Sequence, residues 1–339
     1  MAGRTTMADI ARMADVSPAA VSFALNGRPG VSDATREKVI AIAGQVGWYP
    51  NAAARALGGS RAGSVGLVIR RSAANIGQEP FYSNFMAGLG SRFTAESTAL
   101  LLQFADSENM ELSTYARWCT ERRVDGIVLL DLRINDPRPQ AITEMGVPFV
   151  VLGNANYAKG YPSFGIDDAT ITYNLVGRLV ALGHRRLARI EDMHTMAHTA
   201  VRTSAFVRAC ALNNLPTPVL LEGDASTASG RAQTRHLLDS NRRPTAILYD
   251  NDVMAVAGLH TALEMGVTVP DELSLIAWDD SILCEATSPQ LAALRYSVYD
   301  LGQSVADMLL NLIDDGRRPV PHLEDPVLIE RRSLGPKLK

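Results

Sequence analysis

Eight short apolar runs recur along the chain, and stretches with helical spacing lie between them. The runs are "VGLVI" (65–69), "TALLLQF" (98–104), "GIVLL" (126–130), "PFVVLG" (148–153), "RLARI" (186–190), "PVLLEG" (218–223), "TAILYD" (245–250) and "LSLIAW" (273–278). The helical stretches include 81–96, 170–182, 203–213, 228–239 and 252–265. Apolar runs of this length, each followed by a helix, indicate parallel strands buried on both faces. Eight of them before residue 280 suit two doubly wound sheets better than one. The expected body is therefore α/β and two-lobed, and 339 residues with 47% hydrophobic content leave room for it and for a further domain.

The first 60 residues follow a different pattern. Thr6 with Asp9 reads as a capping box opening a helix over 7–14. Ser17 and Pro18 open a second helix reaching about Asn26, and Ser32 caps a third over 33–46, ended by Gly47. Ile10, Ala11, Val16, Val21, Leu25, Val39 and Ile42 can meet in one small core. The second helix lies in "VSPAAVSFALNG" (16–27), whose remaining face of Pro18, Ala19, Ser22 and Phe23 is neither a charged surface nor large enough for a core. Charge is divided in the same place. Residues 1–61 carry +3 and the remainder −6, a basic head on an acidic body. Next comes "WYPNAAARALGGSRAG", where 52–57 favours helix but spans only two turns before Gly58 and Gly59. Such a segment needs a partner to fold on.

Other chemistries find little support. No apolar run reaches about 18 residues and the N-terminus lacks an apolar leader core, so a cytoplasmic chain without a membrane span is expected. Cys119, Cys210 and Cys284 are too dispersed for a disulfide frame or a metal cluster, and no cofactor is expected. His194 and His198 in "HTMAH" have helical metal-ligand spacing, but they follow a strand as loop and have no third ligand nearby, and a role near the mouth of a cleft is the other reading. No phosphate loop or nucleophile elbow is present. Asp279 and Asp280 are adjacent at a strand end and point in opposite directions, which makes them a poor acid–base pair.

The helix–turn–helix head, the "YPN…A…R.L" segment and the two-lobed body together resemble the LacI/GalR family of bacterial transcription regulators. The specific pieces are the run from "TMADIARMADVSPAAVSFALNGRPG" to "WYPNAAARAL", "VDGIVLL", "LGHRRLARI", "PTAILYDNDVMAVAGLHTALEMGVTVPDELSLIAWDD" and "LGQSVADMLLNLI". The resemblance implies a helix–turn–helix domain over 1–49 and a hinge over 50–62. It further implies one effector-domain lobe over 63–165 and 295–324, and the other over 166–294 and 325–339. It also implies a ligand-responsive regulator, expected to be a repressor, acting as a homodimer on a pseudo-palindromic double-stranded DNA operator. The segment 333–339, "SLGPKLK", carries no heptad pattern, so a dimer rather than a tetramer is expected.

By the same resemblance, Thr6, Ser17, Ser22, Asn26, Ser32 and Thr35 stand where the family contacts phosphates, which suits hydroxyls, amides and helix N-termini. Pro18, Ala19, Ser22 and Phe23 would face base edges in the major groove. Many relatives carry arginine where this chain has Phe23, so hydrogen-bonded readout is weakened and DNA shape gains weight. The other reading of Phe23 is a core residue of the head. The hinge would enter the minor groove, with Leu57 as wedge, Ala54 packed in the groove and Arg55 nearby. Alternatively, Leu57 docks on the body.

In the body, resemblance assigns Phe81, Tyr82, Asp167, Arg202, Asn251 and Asp279 to a small-molecule effector, sugar-like given an arginine, carboxylates and an aromatic wall. Arg202 and Asp279 could instead form an ion pair between lobes, and Asn251 could be a helix cap. Ala225 stands where some relatives carry an aromatic. Two competing functions remain: a solute-binding protein, which would need no head, and a sugar-processing enzyme, for which no catalytic constellation is found. The sequence gives neither the effector's identity nor the sign of its effect on DNA binding.

Overall fold

The computed structural model describes residues 5–25, 29–48, 61–71, 73–314 and 323–337. The chain forms two compact units, Met1–Ala62 and Gly63–Lys339.

In the first unit, α1 (Met7–Ala14), α2 (Pro18–Leu25) and α3 (Asp33–Gln45) follow one another. Side-chain caps set their starts. Asp9 N–H donates to Thr6 Oγ1 at 3.3 Å and Thr6 N–H to Asp9 Oδ2 at 2.9 Å, the reciprocal capping box. Ser17 Oγ accepts Ala20 N–H at 3.1 Å, and Ser32 Oγ accepts Thr35 N–H at 3.2 Å. Asp15, at φ 55°, turns the chain sharply between α1 and α2, a conformation Asp tolerates better than most residues. Ile10, Ala11, Ala14, Val21, Ala24, Val39 and Ala43 are buried together, with Val16, Leu25 and Ile42 at their margin. This is the core expected from the sequence.

The second unit carries two sheets. In the first, β1 (Ser64–Ile69), β2 (Ala99–Phe104), β3 (Gly126–Leu129), β4 (Phe149–Leu152) and β5 (Ser163–Phe164) run parallel in the order β2-β1-β3-β4-β5. Between them lie α4 (Ala73–Ile76), α5 (Pro80–Ala95), α6 (Glu108–Thr120), α7 (Arg138–Glu144) and α8 (Ala155–Ala158). The second sheet contains β6 (Leu187–Glu191), β7 (Val219–Glu222), β8 (Ala246–Tyr249), β9 (Ser274–Asp279), β10 (Ala292–Arg295) and β11 (Val327–Ile329), in the order β11-β10-β9-β8-β6-β7. Only β11 in that sheet is antiparallel to its neighbour. Its helices are α9 (Asp168–Ala181), α10 (Ala197–Leu212), α11 (Thr227–Asp239), α12 (Asp252–Glu264) and α13 (Ile282–Ala286). Each sheet has an apolar core on both faces, which explains the unbroken apolar runs.

All eight apolar runs are strands, within one residue of the expected limits. Strands β5, β10 and β11 were not expected. They are short, and β5 and β11 lie at sheet edges. Helix α10 begins at Ala197, six residues before the expected start, so His198 is helical and not in a loop.

The chain passes from the first sheet to the second after β5. It returns after β10 so that α14 (Val298–Asp314) packs on the first sheet, then comes back for β11. Helix α14 crosses α5 at two glycines. A Cβ on Gly88 would lie 2.1 Å from the Tyr299 carbonyl oxygen, and one on Gly302 would lie 2.4 Å from that of Phe85. Only glycine allows the two backbones this approach.

Candidate functional site

In the head, Ser17, Pro18, Ala19 and Phe23 lie exposed on α2 while Val21 and Ala24 are buried. Of the four residues expected on the outward face, Pro18, Ala19 and Phe23 are exposed and Ser22 is half-buried. Phe23 is 36% exposed and is not a core residue of the head. Its ring lies over the loop, where a Cβ on Gly30 would come within 3.0 Å of it. The hydroxyls differ in what they have left to give. Ser17 Oγ accepts in its cap and keeps its own proton for an outside acceptor. The Ser32 and Thr35 hydroxyls share one bond at 2.9 Å, which leaves one proton between them. Thr6 Oγ1 donates to Asp9 at 2.7 Å, so its proton is already engaged. Asn26, Ala54, Arg55 and Leu57, with the expected hinge helix, lie outside the described residues.

In the second unit, the carboxyl ends of both sheets' strands converge on one cavity. Arg71 follows β1, Asp131 follows β3, Asp192 follows β6, Asp250 follows β8 and Asp279 ends β9. This is the ligand position typical of open α/β sheets. The cleft spans about 900 Å³ of space between atoms, open solvent included. Phe81 and Tyr82 line one wall, with ring centroids 5.5 Å apart and planes nearly perpendicular. Tyr82 hydroxyl donates to Asp131 Oδ2 at 3.1 Å.

Arg202 lines the opposite wall and is held from three sides. Nε donates to Asp168 Oδ1 at 2.8 Å, a terminal nitrogen lies 3.8 Å from Asp250 Oδ1, and the guanidinium sits 3.7 Å above the Trp278 ring. Burial works against its charge, but Asp168, Asp250 and Asp279 outweigh it and hold the guanidinium more firmly protonated than usual. Asp279 accepts the Tyr296 hydroxyl at 2.7 Å, and burial pushes its carboxyl above the ordinary range. Asp280 points away and pairs with Arg331 at 2.7 Å. Asn251 caps α12, its Oδ1 accepting Met254 N–H at 2.8 Å, while its Nδ2 donates to the Ala225 carbonyl at 3.0 Å. It lines the cavity as well as capping the helix.

Asp167 requires a correction. It is exposed and caps α9 through Thr170 N–H at 3.1 Å, and its neighbour Asp168 faces the cavity instead. Asp167 is the N-cap of α9 and Asp168 its first helical residue, so the two side chains leave the backbone in different directions. The alternative reading of Arg202 and Asp279 as an ion pair between lobes does not hold. Arg202 pairs within its own lobe, and Arg71 bridges the two lobes, donating to Asp131 at 3.1 Å and to Asp192 at 2.6 Å. Burial opposes ionisation of Asp192, yet bonds from His198 and Arg71 hold its carboxyl far below the usual range. His194 and His198 diverge. His194 Nε2 meets Glu191 at 2.8 Å away from the cavity, whereas His198 lines the cavity and lies 3.5 Å from Asp192.

Arg71, Glu79, Asp131, Asp168, Asp192, Asp250 and Tyr296 also line the cavity, and the sequence reading assigned none of them to it. A signal was present for four. Arg71, Asp131, Asp192 and Asp250 are polar residues just past an apolar run, where a parallel strand opens into the cleft.

Comparison with known proteins agrees with both units. Residues 6–51 match the bacterial regulatory proteins of the lacI family, and residues 176–334 match a periplasmic binding protein-like domain. A solved LacI family transcriptional regulator from Bifidobacterium animalis is 31% identical, with TM-score 0.75, covering 82% of this chain and all of that one. The chain belongs to the LacI family. CelR of Thermobifida fusca, an HTH-type transcriptional regulator, is 29% identical over 343 residues, 97% of this chain and 98% of that protein. A solved CelR–cellobiose complex is 28% identical with TM-score 0.72, covering 97% of this chain and all of that one. The Lac repressor dimer bound to operator and an anti-inducer is 25% identical with TM-score 0.81, covering 98% and 99%. As a LacI-family chain, this protein is a DNA-binding transcription regulator with an effector domain, and not an enzyme. No helix among the described residues is long and apolar enough to cross a membrane.

Proposed function

We propose that this regulator represses transcription as a cytoplasmic homodimer on a pseudo-palindromic operator, and that a polyhydroxylated small molecule in the cavity sets its affinity for DNA. The observation that carries this is the cavity itself. Carboxylates and a fixed guanidinium stand at the strand ends beside Phe81, an arrangement that meets vicinal hydroxyls with hydrogen bonds and the apolar face of a sugar with a ring. The similarity to a CelR–cellobiose complex and to an operator-bound Lac repressor dimer supports both halves of the reading.

On the DNA, α2 presents Pro18, Ala19, Ser22 and Phe23 to base edges, while Ser17, Asn26, Ser32 and Thr35 reach phosphates, with Thr6 at the edge of that set. Ala54, Arg55 and Leu57 act in the minor groove between two half-sites. In the cavity, Phe81, Tyr82, Arg202, Asn251 and Asp279 hold the effector.

The test is a thermal-shift screen of sugars, followed by operator titration with each hit. A ligand that binds only the folded state raises the melting temperature. A hit that shifts the melting temperature and changes operator affinity in either direction supports the proposal, and the direction separates inducer from corepressor. A hit that leaves operator affinity unchanged sinks it.

A further inference from the structure

The polar lining of the cavity is unevenly charged. Glu79, Asp131, Asp168, Asp192, Asp250 and Asp279 face it, against Arg71, Arg202 and His198. Both guanidiniums are already engaged. Arg71 is shared by Asp131 and Asp192, and Arg202 is paired with Asp168. Behind the wall, Arg189 is taken by Asp250 at 2.7 Å and by Glu191 at 2.8 Å. Among the described residues, no cation stands within ion-pair distance of Glu79 or Asp279. Asp279 has the Tyr296 hydroxyl, but Glu79 has less: its Oε1 is buried and accepts from nothing. A buried acceptor without a donor is costly, and in a ligand cavity it marks where a ligand's donor belongs.

We propose that the effector is a polyol carrying a basic amine, whose ammonium donates to the open Glu79 Oε1 and offsets the surplus of carboxylates, and that phosphorylated or carboxylated analogues are refused. The inference rests on the polyol reading above and adds the ligand's charge to it. An anionic group would meet the carboxylates of Asp131, Asp192 and Asp279, with Arg71 already shared by two of them and Arg202 already paired with Asp168. An ammonium would instead be attracted by the same field.

The groups facing Glu79 also give the inference a proton signature. Burial pushes the Glu79 carboxyl up to about 8. Arg71 pulls it down, while Asp131, Asp192 and Asp279 push it further up. This raised carboxyl favours a proton on Glu79 at neutral pH, which an arriving ammonium displaces.

The experiment uses isothermal titration of the full chain with D-glucosamine, D-galactosamine and D-mannosamine, each beside its parent hexose and the hexose 6-phosphate. At least one aminated sugar should bind about tenfold or more tighter than its parent, with no binding of the phosphate. Its apparent enthalpy at pH 7 should vary with the ionisation enthalpy of the buffer, in the sense of proton release. Glu79→Gln should remove both the preference and the proton release. The wild-type panel decides the matter even where that variant fails to fold. A parent hexose binding as tightly as its amine, or any phosphate binding, overturns the inference and leaves the polyol reading standing. A panel in which no member binds, aminated or not, overturns both.

Discussion

Arg71 reaches across the cleft and grips Asp192. Its terminal nitrogens donate to the two Asp192 oxygens at 2.6 and 3.0 Å, while its Nε donates to Asp131 at 3.1 Å. One guanidinium from the end of β1 in the first sheet thus holds a carboxylate from the end of β6 in the second. A second hydrogen bond joins the lobes, from Asn75 Nδ2 to the Asp224 carbonyl at 2.9 Å. Arg71 thus joins the lobes within the lining of the cavity, and any ligand that engages Asp131 or Asp192 competes with it.

Arg71→Met should destabilise the body strongly. It leaves Asp131 and Asp192 buried without their cation, and removing one partner of a buried ion pair costs about 3–5 kcal/mol. Adding Asp192→Asn should recover part of the loss, because the uncompensated charge is then gone as well. Urea unfolding of the two single variants and the double variant measures this. A loss below about 1 kcal/mol for Arg71→Met would show that this bridge contributes no more than a surface pair.

The pH dependence of stability should carry the mark of Glu79. Its carboxyl is raised by burial from 4.5 to about 8 in the folded chain. Between those values the folded state holds a proton that the unfolded state has lost, so stability falls as pH rises. Glu79→Gln removes this slope. The variant should match the wild type near pH 4.5 and become progressively more stable than it towards pH 8. Melting temperatures across that range check the sign, and a variant that loses stability relative to wild type as pH rises contradicts the assignment.

Two glycines on α5 should respond in opposite ways. A Cβ on Gly88 would lie 2.1 Å from the Tyr299 carbonyl oxygen, whereas one on Gly90 meets nothing within 4 Å. Gly88→Ala should cost at least about 1–3 kcal/mol by forcing α5 and α14 apart. Gly90→Ala should stabilise by roughly 0.5–1 kcal/mol, because alanine favours helix. Thermal unfolding of the pair tests the helix crossing directly, with each variant serving as a control for the other.

The parts of the fold that could be read from the sequence were those with a local signal. Runs such as "GIVLL" are strands because burial on both faces demands continuous apolar residues, and Thr6, Ser17 and Ser32 start helices because their side chains reach the next turn. What stayed hidden depends on distant partners. Strand β11 exists only because it pairs antiparallel with β10, and its Val327 is largely exposed. Arg71 and Asp192 are 121 residues apart in the chain and meet only once both sheets have formed. Asp167 and Asp168 are chemically alike, and the phase of α9 alone decides which of them faces the cavity. Resemblance placed Arg202 in the cleft, but nothing in the sequence placed it above Trp278.

Arg202→Lys should separate effector binding from DNA binding. Lysine keeps the charge but loses the planar fork that meets Asp168 and stacks on Trp278. Effector affinity should fall by about tenfold or more, the worth of one charge-assisted hydrogen bond. Operator affinity without effector should stay within roughly threefold, since the partners of Arg202, Asp168 and Asp250, lie in its own lobe. Fluorescence anisotropy on labelled operator, with and without effector, reads both. Unchanged effector affinity would remove Arg202 from the binding set.

Phe23 and Leu57 should fail in different ways. Phe23 stands outward on α2, its ring steadied over Gly30 and not sunk in the head's core. It has no hydrogen-bonding group, so its contribution to recognition is apolar contact, such as with a thymine methyl. Phe23→Ala should relax preference at one base pair in each half-site, by roughly 1–3 kcal/mol, and leave the rest of the operator preference intact. Leu57, outside the described residues, is proposed as the minor-groove wedge. Leu57→Gly removes the wedge and disfavours the hinge helix by about 1 kcal/mol. The bend that the wedge maintains is lost with it, so specific affinity should drop towards the non-specific level. Salt-dependent binding to random DNA should persist in both variants, because the basic side chains of the head are untouched. Selection from a randomised operator library tells the two roles apart. If Leu57→Gly keeps full preference at the operator centre, or Phe23→Ala disturbs the centre and spares the half-sites, the assignment of α2 to the major groove and of the hinge to the minor groove fails.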